Sequence, residues 1–156
     1  MKNVLVAISV LFLSGCATIM NNKPEHFSIT SKPSSAQVIV RDIKMDKIVL
    51  KNNTPFDINL EKKAGYFQGK EYLVKVNKQG YKDMEFQIKP TLSGWYIGNI
   101  LFGGLIGILI VDPLTGGMWN LIPEKNKNVH TDKQIISIRL LSDLTQEEKS
   151  KIKKIK

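Results

Sequence analysis

Apolar and polar residues alternate along much of the chain between residues 27 and 89. The clearest segments are HFSITS, AQVIVRD, PFDINL and EYLVKVNKQGYKDMEFQI. Every second residue in them is apolar, which is typical of a strand with one buried face. The residues expected to face the core are Phe27, Ile29, Ala36, Val38, Val40, Phe56, Ile58, Leu60, Tyr72, Val74, Val76, Met84, Phe86 and Ile88. Short connections between these strands favour antiparallel pairing.

A later segment, QIISIRLL, alternates in the same way. Ile136, Ile138 and Leu140 fall on one face of it. This pattern predicts a late strand that rejoins the sheet formed by the earlier residues. The fold class expected from the pattern is mostly β, a small antiparallel β-sandwich.

The segment GWYIGNILFGGLIGILIVDP, residues 94–113, interrupts this pattern. No Asp, Glu, Lys, Arg or His occurs from Pro90 to Val111. The 17 residues from Trp95 to Val111 would form a helix about 26 Å long, slightly short of a hydrocarbon core of about 30 Å. Two adjacent glycines, at 103 and 104, disfavour an exposed helix by about 2 kcal/mol relative to alanines. The glycines therefore favour a break or a packed helix over a simple span.

Three interpretations of residues 94–113 stay open. The segment forms a glycine-rich apolar helical hairpin or helix that docks on the sheet, the membrane surface or a partner. Alternatively it crosses the inner membrane, or it assembles several copies of the chain, since the spacings Gly94 to Gly98 and Gly103 to Gly107 allow helices to approach closely. The residues expected to contact a partner or the membrane are Trp95, Tyr96, Ile97, Phe102, Leu105, Ile106 and Trp119.

The first residues, MKNVLVAISVLFLSGC, have the organisation of an export signal. Lys2 precedes the apolar run from Val4 to Leu13, and small residues follow it. The end of this segment, LSGC, resembles the lipobox of bacterial lipoproteins, and Cys16 is the only cysteine in the chain. The resemblance implies cleavage before Cys16, with a covalent diacylglycerol and an acyl chain such as palmitate on that residue. Several acyl chains anchor a protein stably.

The resemblance to lipoproteins also implies a location. Ala17 follows the cysteine, instead of the Asp that typically retains such proteins in the inner membrane. The expected location is the outer membrane, with the lipid-anchored chain facing the periplasm. A lone cysteine is unusual in an exported protein, and lipidation of Cys16 would account for it.

Three segments between residues 27 and 89 resemble the PEGA family of small β-domains. They are SKPSSAQVIV, NTPFDINL and YLVKVNKQGY, and the Lys-x-Gly-Tyr element from Lys78 to Tyr81 is the most specific. Ser35 stands where the family usually has glycine, and RDIKMDKIVLKNN is longer than the usual hairpin. The resemblance implies an adaptor or surface module with no activity shared across the family.

These features divide the chain into four parts. Residues 1–15 are expected to be the lipoprotein signal peptide and residues 16–26 a tether. Residues 27–141 are expected to be the PEGA-like β-domain, with the apolar insertion at 94–113. Residues 142–156 are expected to form a basic tail or a short C-terminal helix.

Charge and candidate chemistry point to no enzyme. The net charge of +9 falls to +8 when Lys2 leaves with the signal, and the basic residues are scattered. The two histidines, His26 and His130, stand apart in polar segments, so no metal-ligand spacing or catalytic constellation is present. Asp112 beside Pro113 is interpreted as a turn residue.

The expected function is therefore a lipid-anchored bacterial envelope protein that serves as a non-catalytic binding or scaffolding module. Its partners would be the membrane and either another envelope protein or further copies of itself, with no nucleic acid and no cofactor. The alternative is a membrane-inserted or oligomerising subunit that uses residues 95–111.

Overall fold

The computed structural model describes residues 21–94, 96–98 and 107–142. Several predictions fall outside these residues: the signal peptide, Cys16, the tail beyond residue 142, and the contact residues Trp95, Phe102, Leu105 and Ile106.

Most of the described chain forms β-strands. The strands are β1 (Glu25–Lys32), β2 (Gln37–Asp42), β3 (Lys47–Asn53), β4 (Phe56–Leu60), β5 (Lys63–Gly65), β6 (Gln68–Gly69), β7 (Tyr72–Asn77), β8 (Met84–Leu92), β9 (Trp119–Pro123), β10 (Val129–Asp132) and β11 (Ile135–Arg139). Helical structure includes Gly94 with residues 96–98, a π-helical turn over Gly107–Val111, and the short helix α1 (Asp112–Thr115). The expectation of a mostly β fold is confirmed.

The strands form two larger sheets and one hairpin. One sheet has the order β10-β11-β1-β4, the other has the order β3-β2-β7-β8-β9, and β5 pairs with β6 alone. Strand β2 is antiparallel to both β3 and β7, and β10 is antiparallel to β11. Strand β11 instead runs parallel to β1, with Ser28 opposite Ile135. A parallel neighbour requires a long connection, and most of the chain separates these two strands.

The described residues belong to two compact units. Unit 1 contains residues 21–25, 59–71 and 88–122, without the segments that lie outside the described residues. Unit 2 contains residues 26–58, 72–87 and 123–142. Strands β1, β4, β8 and β9 each contribute residues to both units.

The core of unit 2 follows the predicted alternation. Its buried side chains include Phe27, Ile29, Ala36, Val38, Val40, Ile58, Tyr72, Val74, Val76, Phe86, Ile136, Ile138 and Leu140. Phe56 and Met84 are only half-buried. Because strands of both larger sheets supply this core, the architecture is compatible with a small β-sandwich.

The residues that flank the apolar segment in unit 1 are hydrogen-bonded to each other. The amide of Ser93, directly after β8, donates a hydrogen bond of 2.8 Å to the carbonyl of Met118, directly before β9. Ser93 and Met118 are both buried, and β8 and β9 are neighbours in the five-stranded sheet. Residues 94–117 therefore lie between two residues that are hydrogen-bonded to each other. We call residues 94–117 the excursion.

Candidate functional site

The hairpin formed by β5 and β6 presents two aromatic side chains at its tip. Tyr66 and Phe67 connect the strands, and their rings meet edge to face with centroids 4.9 Å apart. Phe67 has a φ of 53°, in the left-handed region, which closes the turn. Tyr66 is 55% exposed and Phe67 is 39% exposed. The hairpin therefore places an aromatic pair at the surface of unit 1.

Polar atoms of this hairpin contact the C-terminal part of the excursion. The Tyr66 hydroxyl donates a hydrogen bond to the carbonyl of Leu109, and the Lys63 ammonium donates one to the carbonyl of Leu114. A side chain added at Gly116 would lie 2.9 Å from the Cβ of Lys63, so the backbone passes closely there. Two carbonyls of the excursion thus accept hydrogen bonds from side chains of the hairpin.

Large apolar side chains beside these contacts face outward. Leu109 and Ile110 in the π-helical turn are half exposed, and Leu114 in α1 is 54% exposed. We call Tyr66, Phe67, Leu109, Ile110 and Leu114 together the apolar surface. Exposed apolar residues that are contiguous typically mark a contact site.

Three of the residues expected to form a contact site lie within the described structure. Ile97 is exposed, whereas Tyr96 is half-buried. Burial raises the pKa of Tyr96, and the nearby charges of Asp112 and Tyr66 raise it further. Trp119 is also half-buried, and its ring lies 3.1 Å from the position that a Cβ on Gly69 would occupy.

Tyr66 and Phe67 are the site residues that the sequence interpretation missed. They lie in KAGYFQGK, where the strands are too short to show alternation. The available signal was an aromatic pair flanked by Gly65 and Gly69, which is a composition typical of an exposed turn.

A second feature of unit 1 fixes the start of the described chain. The Asn21 side-chain amide donates hydrogen bonds to the carbonyls of Gly117 and Trp119, at 2.7 and 3.2 Å. The Lys62 ammonium donates to the backbone and side-chain oxygens of Asn21, at 2.5 and 2.8 Å. We call these contacts of Asn21 with Lys62, Gly117 and Trp119 the clasp.

Lys62 is buried to an unusual degree for a lysine, at 4% exposure. Burial lowers its pKa, while the charges of Glu25 and Glu61 oppose that effect. Glu25 also accepts a hydrogen bond of 3.2 Å from the amide of Leu121 in β9. Among the described residues of the expected tether, Asn21 and Glu25 thus contact other residues of unit 1.

In unit 2, Thr54 contacts residues of the segment from Ser31 to Ala36. Its hydroxyl lies 2.5 Å from the hydroxyl of Ser31 and accepts a hydrogen bond of 3.1 Å from the amide of Ala36. Ser35, where the family usually has glycine, has a φ of 59°, so the backbone keeps a glycine-like conformation. Gly80 has a φ of 79° in the turn between β7 and β8.

Three further observations on the described residues concern metal binding, membrane spanning and cavities. No group of three His, Cys, Asp or Glu side chains within the described ranges could hold a metal ion. Across residues 21–94, 96–98 and 107–142, no helix combines the length and the apolar character needed to cross a bilayer. A groove of about 460 Å³ in unit 2 has mixed lining that includes Gln37, Lys75 and Glu85.

Comparison with protein-family models, curated proteins and solved structures found no match. The resemblance to PEGA domains therefore depends on the motif residues, and the site on its geometry.

Proposed function

We propose that this chain is a lipid-anchored protein of the bacterial envelope, held through Cys16 in the outer membrane and facing the periplasm. In this proposal the β-strands form a PEGA-like sandwich that binds or scaffolds other envelope components without catalysis. Its partners are the membrane and a further envelope protein or another copy of the chain.

The LSGC sequence that ends at Cys16 carries this proposal, and the clasp indicates what a lipid there would do. Only residues 17–20 separate Cys16 from Asn21. Five residue steps reach at most about 17 Å when fully extended. A lipid on Cys16 would therefore keep unit 1 close to the bilayer surface, which is useful for a module that works at that surface.

The hydrogen bond between Ser93 and Met118 supports this proposal over a subunit that is inserted by a single helix. One crossing of a bilayer between residues 94 and 117 would separate Ser93 from Met118 by the thickness of the membrane. Their hydrogen bond of 2.8 Å instead requires both ends of the excursion to lie together.

Labelling with an alkyne fatty acid in cells tests the anchor. The wild-type chain is expected to carry the label and to sediment with the outer-membrane fraction of a density gradient. Cys16→Ser is expected to carry none. The double variant Cys16→Ser with Ser34→Cys restores an exposed thiol at another position and is the matched control. It is also expected to remain unlabelled.

Two results would contradict the proposal. Label on the Cys16→Ser chain would place the acyl group elsewhere, and absence of label from the wild type would remove the anchor altogether.

A further inference from the structure

We propose that the apolar surface enters the outer part of the lipid leaflet that holds the Cys16 anchor. This inference rests on the proposed anchoring of Cys16, and it assigns the second contact of unit 1 with the membrane to Tyr66, Phe67, Leu109, Ile110 and Leu114.

The position of the clasp brings the anchor near this surface. Asn21 is hydrogen-bonded to the carbonyl of Gly117, and Leu114 lies only three residues earlier. Gly116 closes helix α1 through a hydrogen bond of 2.9 Å to the carbonyl of Asp112. The point where Asn21 joins unit 1 is therefore three residues along the chain from Leu114, a separation of at most about 11 Å along the backbone. A tether of at most about 17 Å leaves this surface within reach of the lipid headgroups.

The hydrogen bonds of the hairpin suit a lipid environment. A backbone carbonyl without a partner is strongly disfavoured in hydrocarbon, because no water is present to satisfy it. Leu109 and Leu114 present exposed apolar side chains, while their carbonyls accept hydrogen bonds from Tyr66 and Lys63. These two carbonyls, which would be penalised in lipid without a partner, are thus paired within unit 1.

The side chains also match the chemistry of the membrane interface. Tyrosine has an apolar ring and a polar hydroxyl, and it is enriched at the level of the headgroups. Tyr66 and Phe67 are at a hairpin tip, and the aliphatic residues Ile110 and Leu114 supply area that favours burial. The set itself is uncharged, and the Lys63 ammonium beside it is hydrogen-bonded to the Leu114 carbonyl.

The test supplies the anchor chemically, so that it does not depend on lipidation in cells. The chain from Cys16 to its last residue is coupled through the cysteine thiol to a maleimide lipid. The vesicles contain phosphatidylethanolamine and phosphatidylglycerol in a ratio of about 3:1, because anionic lipid is part of bacterial membranes. They are prepared with and without lipid that carries bromine on its acyl chains. Phe67→Trp and Leu114→Trp serve as two reporters. For each, the fluorescence of the parent chain is subtracted, and the quenching of the remaining tryptophan emission by bromine is measured. Val49→Trp, at an exposed apolar residue of β3, is the matched control.

Bromine is expected to quench the added emission of both reporters at least about twofold more than that of Val49→Trp. Equal quenching at all three positions would overturn the proposal. So would concentration-dependent dimerisation of the uncoupled chain that Leu114→Ser abolishes, because a second copy would then cover the surface. Fatty-acid label in cells without reporter quenching would reject only this inference. Quenching on vesicles without label in cells would reject the proposed anchor instead.

Discussion

At the residue scale, the Thr54 hydroxyl joins segments that are distant in sequence. It contacts the Ser31 hydroxyl and the Ala36 amide, while the Thr54 backbone amide donates to the Ala36 carbonyl at 2.9 Å. Thr54 is buried, so no bulk water replaces these partners if its hydroxyl is removed. The Thr-Pro element of the PEGA-like pattern thus has a structural role in this chain.

Replacing Thr54 with valine keeps the shape of the side chain and removes the hydroxyl. The buried Ala36 amide then loses its side-chain acceptor, which should lower the free energy of unfolding by about 1–3 kcal/mol. Thr54→Ser keeps the hydroxyl and should lower the free energy of unfolding by clearly less. Urea unfolding of both variants measures the difference, and equal loss in the two would refute the role of the hydroxyl.

Ser35 adopts a left-handed conformation that is unfavourable for any residue with a Cβ. Its backbone makes two hydrogen bonds. The Ser35 amide donates to the Thr54 carbonyl, and the Ser35 carbonyl accepts from the Lys78 ammonium. Ser35→Gly should therefore keep these bonds and relieve about 1–2 kcal/mol of backbone strain. Greater freedom of glycine in the unfolded chain offsets part of that, leaving a gain of about 0.5–1 kcal/mol.

Thermal unfolding compares Ser35→Gly with Ser34→Gly, since the neighbouring Ser34 is exposed and has no positive φ. The first variant should raise the melting temperature and the second should lower it slightly. A fall in both would show that the conformation of Ser35 is not strained.

At the scale of elements, the sequence predicts the long strands and misses the short ones. Alternation places Phe27, Val38 and Ile136 correctly in the core because a strand with one buried face repeats every two residues. Strands β5 and β6 have three and two residues, which is too short for that signal. The pattern also identifies β11 as a late strand, but it does not reveal the parallel pairing with β1. That pairing depends on the route of a long connection.

The hairpin of β5 and β6 offers two glycines for comparison. A Cβ at Gly69 would lie 2.2 Å from the Cβ of Pro90 and 3.1 Å from the ring of Trp119. Neither neighbour can move away without shifting backbone or a packed ring, so Gly69→Ala should destabilise the protein by about 1–3 kcal/mol. A Cβ at Gly65 would meet only the flexible end of Gln68, at 3.2 Å.

Gly65→Ala is therefore the control and should change the free energy of unfolding by less than about 0.5 kcal/mol. Chemical denaturation of the two variants provides the test. If Gly69→Ala were tolerated as well as Gly65→Ala, close packing of the hairpin on Pro90 would be incorrect.

At the scale of the whole molecule, the sequence identifies the apolar excursion but not the residues that organise unit 1. Asn21 and Lys62 are isolated polar residues, 41 positions apart, and no local pattern links them. Their contact depends on the fold, as does the hydrogen bond that joins Ser93 to Met118. A Cβ at Gly94 or Gly98 would meet nothing among the described residues, so assembly of copies through these glycines stays a prediction.

A double-mutant cycle on Asn21 and Lys62 tests whether the clasp fixes the start of the described chain. Asn21→Ala removes the side-chain acceptor of a buried ammonium and the donor to two carbonyls, while the backbone acceptor stays, so we expect a loss of about 1–3 kcal/mol in unfolding free energy. Lys62→Met replaces the ammonium with an apolar group of similar length and should be less damaging, since it also removes the desolvation penalty. The double variant should be more stable than the sum of the single losses predicts, by about 1–2 kcal/mol.

The pH dependence of the cycle provides an independent control. The pKa of Lys62 is lowered from 10.5 in the folded chain, so between the folded and unfolded values the unfolded chain binds more protons. Stability contributed through Lys62 should therefore rise with pH across that window, relative to Lys62→Met. Additive losses at Asn21 and Lys62, together with equal pH profiles for the wild type and Lys62→Met, would mean that the clasp does not fix this end of unit 1.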